Sequence, residues 1–311
     1  MILVGDIGGT NTRLALAIQQ GTSFRIEQQR NFETGSDLPA LISHYLAAAG
    51  VRPEAVALCG AGPLRADGSI SLTNVHCVLH PPELAAAAGL PRAVVVNDFE
   101  AVAHSLPALT ATDVRRCGGT GDGEPHAPRL ALGAGTGLGV AALIRQAAHW
   151  QALPGEGGHV DLAPVDDEEL EIWQRLRRGG QRISAETVLS GAGLRRLHAA
   201  LGGGDLDGPA ITQAAACGDA VARAAQRLFT RWLGRVAGNA ALTFAARGGV
   251  YIAGGIVPAW GEQFDAAEFR AGFEDKAPFT DWLAAIPSYV ITHPQPALLG
   301  LARLASTPAS D

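Results

Sequence analysis

The chain has 311 residues, enough for about two domains at roughly 150 residues each. With 47% hydrophobic and 17% charged residues it is globular in composition, not disordered. Its 24 basic and 30 acidic residues leave a net charge of −6. That argues against a general nucleic-acid binder, and no apolar run reaches the roughly 18 residues of a membrane helix.

The N-terminus, Met-Ile-Leu-Val-Gly and then Asp6, is too short and too acidic for a signal peptide. Residues 2–4 read as a central strand, and residues 12–18 and 24–28 as two further strands of a meander. Ser36 is the expected N-cap of a helix over residues 37–49, with Gly50 as its stop. Residues 55–59 and 93–96 are short apolar runs of strand type. Asn97 or Asp98 then opens a helix to about Ser105. Residues 117–129, rich in Gly, Asp and Pro, read as a loop, and residues 130–144 as strand, turn and strand. A helix over residues 166–178 starts acidic and ends basic, with Glu171 and Arg175 at i,i+4. Residues 219–246 read as one or two long helices. Their Gly234 and Gly238 suit close helix packing, because Arg231 and Arg235 forbid a membrane face. Strands over 250–253 and 289–292 and a helix over 300–304 finish the chain.

Lys276 is the only lysine. A P-loop needs a lysine at the end of its glycine loop, and a protein kinase needs one on a strand. Lys276 follows Phe-Glu-Asp, so both architectures are excluded, and Schiff-base chemistry is disfavoured. Cys59, Cys77, Cys117 and Cys217 are scattered, as expected of a reducing cytoplasm.

The 39 glycines cluster at the ends of apolar runs. There, backbone N–H groups can approach a ligand where a Cβ would intrude. Asp6-Ile-Gly-Gly-Thr-Asn-Thr-Arg-Leu and Gly133-Ala-Gly-Thr-Gly-Leu-Gly form a faint repeat of strand, Gly/Thr turn and strand. Two such hairpins could clasp a polyphosphate with backbone donors in place of a lysine.

Three constellations carry chemistry. Asp6, Gly8, Gly9, Thr10 and Asn11 read either as a tight turn or as a phosphate cradle. In the second reading Asp6 holds Mg²⁺ through water. In Val94-Val-Val-Asn-Asp-Phe-Glu-Ala, Asn97 and Glu100 resemble a capping box. Asp98 reads alternatively as a general base at the C-terminal end of a strand, where open α/β sheets place ligands. Phosphoryl transfer asks such a base for little more than positioning and a late proton. In Pro154-Gly-Glu-Gly-Gly-His-Val, Glu156 and His159 suit neighbouring sugar hydroxyls, each of which both donates and accepts. Glu186 by itself is a first-turn helix glutamate. His76, Cys77 and His80 lack the partners of a tetrahedral zinc site.

These segments resemble the bacterial ATP-dependent glucokinases of the hexokinase-like, actin-like ATPase superfamily, of the type without zinc. The match comprises Val4-Gly-Asp-Ile-Gly-Gly-Thr-Asn, Asn97-Asp-Phe-Glu-Ala, Gly133-Ala-Gly-Thr-Gly-Leu-Gly, Pro154-Gly-Glu-Gly-Gly-His-Val-Asp, Ser184-Ala-Glu-Thr-Val-Leu-Ser-Gly, Ile252-Ala-Gly-Gly-Ile-Val-Pro and Phe273-Glu-Asp-Lys, in the family's order. The resemblance implies an α/β, two-domain, ribonuclease-H-like fold with an inter-domain cleft. The expected domains are residues 1–106 and 107–311, with the final helix packing back on the first. ATP phosphates would lie on Gly5, Asp6, Ile7, Gly8, Gly9, Thr10 and Asn11 and on Gly133, Gly135, Thr136 and Gly137, with Gly254 and Gly255 near the adenosine. Asp98 would activate the 6-hydroxyl of glucose, while Asn97, Glu156, His159 and Glu186 hold the other hydroxyls. The resemblance also implies Mg²⁺ and a homodimer, while the acidic charge and the lack of a long apolar run argue against nucleic-acid and membrane partners. His76 stands where the family often carries an aromatic, which bears on stringency for glucose. Alternatives are a kinase for mannose or an N-acetylated amino sugar, and a non-catalytic sugar sensor. A sensor of the DNA-binding type would need a helix pair ahead of the strand that begins at Ile2.

Overall fold

The computed structural model describes residues 1–21, 23–72, 77–147, 149–178 and 180–306. In chain order the first elements are β1 (Ile2–Ile7), β2 (Asn11–Gln20), β3 (Ser23–Glu33), α1 (Leu38–Ala49), β4 (Ala55–Gly60), β5 (Ile70–Ser71), β6 (Val78–Leu79), α2 (Pro81–Ala87), β7 (Val94–Asn97) and α3 (Asp98–Ser105). Next come β8 (Val114–Gly118), β9 (Arg129–Ala134), β10 (Leu138–Gln146), β11 (His149–Gly155), α4 (Asp167–Leu176), α5 (Ala185–Val188), α6 (Gly191–Ala200), α7 (Gly208–Ala216) and α8 (Ala220–Phe244). The last are β12 (Val250–Ala253), α9 (Ile256–Trp260), α10 (Ala266–Glu274), α11 (Thr280–Ala285), β13 (Ser288–Ile291) and α12 (Pro296–Ser306).

Contacts divide the chain into two compact units. Unit 1 holds Met1–Thr110, Trp150–Pro154 and the segment from His293; unit 2 holds Ala111–His149 and Gly155–Thr292. The unit 1 sheet has the order β3-β2-β1-β4-β7, in which β1 runs antiparallel to β2 and parallel to β4, and β4 parallel to β7. In unit 2, β10-β9-β12-β13-β8 lie side by side. Here too the first strand of a hairpin, β9, runs antiparallel to its partner β10 and parallel to the next strand, β12. Strands β12 and β13 are again parallel. The faint sequence repeat is therefore a repeat of topology.

Period-two alternation assigns each β1 side chain to a face. Leu3 and Ile7 join Leu14, Leu58, Ile42 and Tyr45 in a cluster roofed by α1 and α2. Ile2 and Val4 join Ala57, Cys59, Val96 and Leu301 in a second cluster beneath α3 and α12. Asp6 falls on this second face. Helix α12 seats closely on α3, because Gly300 has no Cβ to strike the Ala101 carbonyl, which would lie 1.8 Å from it. The unit 2 core gathers Phe229, Trp232, Leu233, Phe269 and Phe273 around the inner side chains of β9, β12 and β13.

Several expectations are refined here. Asp37, not Ser36, caps α1: its carboxylate accepts Ala40 N–H at 3.0 Å. Proline inside the first turn fixes the entry one residue later than expected. Gly50 does end α1, at φ 66°. Cys117 and Gly118 complete β8 and are not loop, because β8 zips onto β13 at the sheet edge. The expected helical region forms one helix, α8, capped by Asp219. Gly234 and Gly238 are its contact with α10, where added Cβ atoms would lie 2.0 Å from Phe269 O and 2.5 Å from Phe273 O. The Glu171–Arg175 pair forms at 3.7 Å.

Candidate functional site

In unit 1 the C-terminal ends of the parallel strands collect the polar residues. The β1–β2 turn is closed by Gly8 N–H donating to Asn11 O at 2.9 Å. Thr34, just past β3, steadies it: its hydroxyl donates to Gly8 O at 2.7 Å and its N–H to Thr10 O at 3.0 Å. Gly9, Thr10 and Asn11 are exposed. Gly5 and Ile7 are buried, so they could offer a ligand only backbone. Gly5 is a packing glycine, since a Cβ would come within 2.6 Å of Leu58 and 2.7 Å of Leu14.

Hairpin register places Arg13 opposite Asp6, and parallel register places Cys59 beside it. Arg13 Nη1 donates to Asp6 Oδ2 at 3.2 Å, and the Cys59 thiol to Oδ1 at 3.8 Å. Burial raises the Asp6 carboxyl above its ordinary range, and Arg13 and Cys59 pull it part of the way back. Burial, followed by the charges of Asp6 and Asp98, pushes the Cys59 thiol well up, so it is a neutral donor and not a nucleophile.

Asn97 ends β7 and caps α3. Its Oδ1 accepts Phe99 N–H at 2.9 Å and its Nδ2 donates to Gly62 O at 3.1 Å. Asp98 is the first residue of α3, where the helix dipole favours a carboxylate. One of its oxygens also accepts Phe99 N–H at 2.9 Å. Glu100 accepts from the Asn97 backbone N–H, but the Asn97 side chain takes Phe99 N–H and not Glu100 N–H, so the expected capping box is only half formed. Its Oε2 is buried without a hydrogen-bond partner, and burial pushes its carboxyl up to about 6. The capping and catalytic readings of this segment are compatible: the cap holds Asn97 and Asp98 at the strand end.

In unit 2 three sequence-distant motifs meet at the start of β10. Gly135 N–H closes the 133–137 turn on Gly137 O at 2.8 Å, and Gly191 N–H ties Gly135 O to the start of α6 at 2.9 Å. Glu186 sits in the one-turn helix α5, where Ser184 and Thr187 form a capping box. Its Oε2 accepts Leu138 N–H at 2.8 Å. A Cβ on Gly137 would lie 2.4 Å from that oxygen, so a side chain there would push the Glu186 carboxylate away. Gly158 packs against Leu138 just as closely: a Cβ there would lie 2.1 Å from its carbonyl oxygen. This brings the loop bearing Glu156 and His159 to the same strand end. His159 Nε2 and Glu156 Oε2 are 3.8 Å apart, with side chains 58% and 57% exposed. An ion pair that open is worth little, so both groups are available to a ligand.

Not all the glycines face outward. Gly133 and Gly254 pack against one another's strands: Cβ atoms added there would lie 2.2 Å from Ala253 O and 2.3 Å from Ala134 O, and Gly254 also has φ 84°. A Cβ on Gly255 would meet nothing within 4 Å, and one on Gly135 only Gly255 N, at 3.8 Å. Thr136 lies between the ends of β9 and β10.

Within unit 1 the structure brings together Asp6, Asn97 and Asp98. Within unit 2 it brings together Gly133, Gly135, Gly137, Glu156, His159 and Glu186. Arg13, Cys59 and Thr34 were missed. Arg13 was recoverable by counting pairs outward from the turn, but nothing local marks Cys59 or Thr34. His76 lies outside the described residues. Among those described, no group of three or more His, Cys, Asp or Glu is arranged to hold a metal. No helix is long and apolar enough to cross a membrane, among the same residues.

Comparison with known proteins bears on this arrangement as a whole. A sequence model described as glucokinase matches residues 3–308. A glucokinase of Sinorhizobium medicae is 41% identical, covering 99% of this chain and 92% of its own. One of Yersinia pestis is 43% identical, covering 96% and 94%. The crystal structure of a glucokinase from an Antarctic psychrotroph superposes with a TM-score of 0.88 at 32% identity, covering 98% of both chains. That of a Balamuthia mandrillaris glucokinase in complex with glucose gives 0.83 at 26% identity, covering 98% of this chain and 93% of that one. The fold is thus the two-domain, actin-like ATPase fold. With a match running almost from end to end, the chain belongs to the glucokinase family.

Proposed function

We propose that this protein phosphorylates D-glucose with ATP to give glucose 6-phosphate, with Asp98 as the general base. The observation that carries the roles is the placement of Asp98. It stands at the C-terminal end of a parallel strand, on the first turn of a capped helix, beside Asn97. A carboxylate so placed accepts the proton of the 6-hydroxyl as the oxygen attacks the γ-phosphorus. The Phe99 N–H bond and the Asn97 cap hold it still, which is most of what such a transfer asks of a protein.

Asn97, Glu156, His159 and Glu186 take the remaining hydroxyls. The ATP phosphates lie along the turn from Gly5 and Asp6 through Ile7, Gly8, Gly9 and Thr10 to Asn11, where the exposed Gly9 and Thr10 offer backbone donors and the Gly8 N–H shapes the turn. They also lie along Gly133, Gly135, Thr136 and Gly137, where the Gly135 N–H closes the turn, while Gly254 and Gly255 serve the adenosine. A dedicated metal cage does not fit the described residues. A single carboxylate, Asp6, does suit Mg²⁺ carried on the phosphates, since that ion keeps several of its waters. Bound there, Mg²⁺ would supply positive charge to the phosphate oxygens, and Asp6, paired with Arg13, would hold it through its waters.

The test is Asp98→Asn. Expected is a fall in kcat of about 10³-fold or more, with glucose still bound in calorimetry; near-normal turnover would remove Asp98 from the role. The alternative substrates, mannose and N-acetylated amino sugars, are separated by a sugar panel in a coupled ADP assay. We further propose a homodimer, to be checked by sedimentation. The free thiols of Cys59, Cys77, Cys117 and Cys217 suit a cytoplasmic location.

A further inference from the structure

We propose that Glu186 positions the phosphate turn as well as binding sugar, so that glucose and nucleotide strengthen each other's binding through unit 2. The inference rests on the functional reading above and deepens it. The two oxygens of Glu186 have different work. Oε2 accepts the Leu138 N–H at 2.8 Å, immediately after the glycine turn. Oε1 takes no donor among the described residues. The turn is fitted to this carboxylate: a Cβ on Gly137 would lie 2.4 Å from Oε2 and 3.2 Å from the carboxyl carbon. The turn is then closed on itself by Gly135 N–H to Gly137 O and held from the other side by Gly191 N–H to Gly135 O.

Glu186 is a firm post for such a tether. Ser184 and Thr187 cap its helix reciprocally. Ala185 N–H donates to Val160 O at 2.9 Å, next to His159. Sugar hydroxyls on Oε1 would fix the rotation of the carboxylate and hence the direction of the Oε2 bond to Leu138. A turn already ordered in this way loses less freedom when it takes a phosphate chain. The converse follows by linkage: a phosphate chain on the turn favours the carboxylate geometry that sugar needs.

Calorimetry on the full-length protein tests this, with glucose and the non-hydrolysable Mg·AMPPNP as probes. In the parent protein, glucose is expected to tighten Mg·AMPPNP binding on the order of tenfold. Glu186→Asp keeps the charge but withdraws it from Leu138. It is expected to weaken Mg·AMPPNP binding several-fold in glucose-free solution, where a residue that served only as a sugar ligand would have no effect. Gly137→Ala adds the clashing Cβ and is expected to weaken glucose binding about tenfold with no nucleotide present. Thermal unfolding of each variant checks that it is folded, and if Glu186→Asp fails that check Gly137→Ala decides alone. Parent-like Mg·AMPPNP affinity of folded Glu186→Asp without glucose overturns the inference and leaves the functional reading standing. A parent protein that takes up no glucose overturns the functional reading itself.

Discussion

The two glycine hairpins share a topology but are held in different ways. In unit 1 the turn after β1 is steadied by its own sheet: Thr34 hangs on Gly8 O, and Arg13 pairs with Asp6 across the hairpin. In unit 2 the turn after β9 is steadied by helical segments far along the chain, through Glu186, 48 residues beyond Leu138, and through Gly191. A turn held by its own sheet can be tuned locally. A turn held from a distance reports on whatever those distant residues bind. The same local pattern therefore yields a fixed cradle in one unit and a coupled one in the other.

The contrast breaks first at Gly254. A side chain there meets the Ala134 backbone 2.3 Å away and must adopt φ 84°. Gly254→Ala is expected to destabilise by about 3 kcal/mol or more, read as a lowered denaturation midpoint. Gly5→Ala meets mainly the side-chain ends of Leu58 and Leu14, with the Arg13 carbonyl farther off at 3.2 Å, so a loss of about 1–3 kcal/mol is expected. Equal losses in the two variants would show that the cradles tolerate side chains alike.

Thr34→Val sharpens the unit 1 half. It strips a donor from Gly8 O and a partner from Thr12. Expected are a loss of about 1–2 kcal/mol and a raised KM for ATP, with the KM for glucose unmoved. Were the glucose KM to rise in step, the cradle would not be local.

Glu100 gives a pH test. Its folded carboxyl is raised from 4.5 to about 6, chiefly by burial. The folded state therefore binds the proton more tightly than the unfolded chain. The resulting stability is fully present below about pH 4.5 and lost as pH rises through about 6. Glu100→Gln, whose amide oxygen can still accept Asn97 N–H, should unfold at a higher temperature than the parent above pH 6. The gap should close near pH 4.5; a gap that does not change with pH would assign the effect to packing. His104, on the same helix, works in the opposite direction. Burial and then Arg303 lower it to about 4, so its contribution is present above pH 6.5 and lost as pH falls through about 4. Least of all, Gly255→Ala faces open space and is expected to leave stability unchanged while raising the KM for ATP.

Much of the site was legible because its residues sit where local rules place them. The strand-to-turn change at Asp6 and the cap at Asn97 both show in the order of apolar, glycine and capping residues. Glu156 and His159 stood out because a glycine loop offered them no structural work. Glu186 was visible only through family resemblance, since a glutamate in a helix's first turn is ordinary and its partner, Leu138 N–H, is 48 residues away. The glycines were legible as a class but not by role. Gly133 and Gly254 are held by backbone, and Gly5 and Gly137 by side chains, that the sequence does not name, while Gly135 and Gly255 are the open ones.

The chain's own order of residues determined the strands, the caps, the exclusion of lysine-based phosphate sites and the identity of the acidic and amide groups at strand ends. These follow from period, turn chemistry and charge, which act over a few residues. Only the tertiary structure decided that Cys59 flanks Asp6 and that Thr34 holds the first turn. It alone decided that Glu186 holds the second. Burial and hydrogen-bond partnership across strands and helices are properties of packing, and no short stretch of sequence contains both partners.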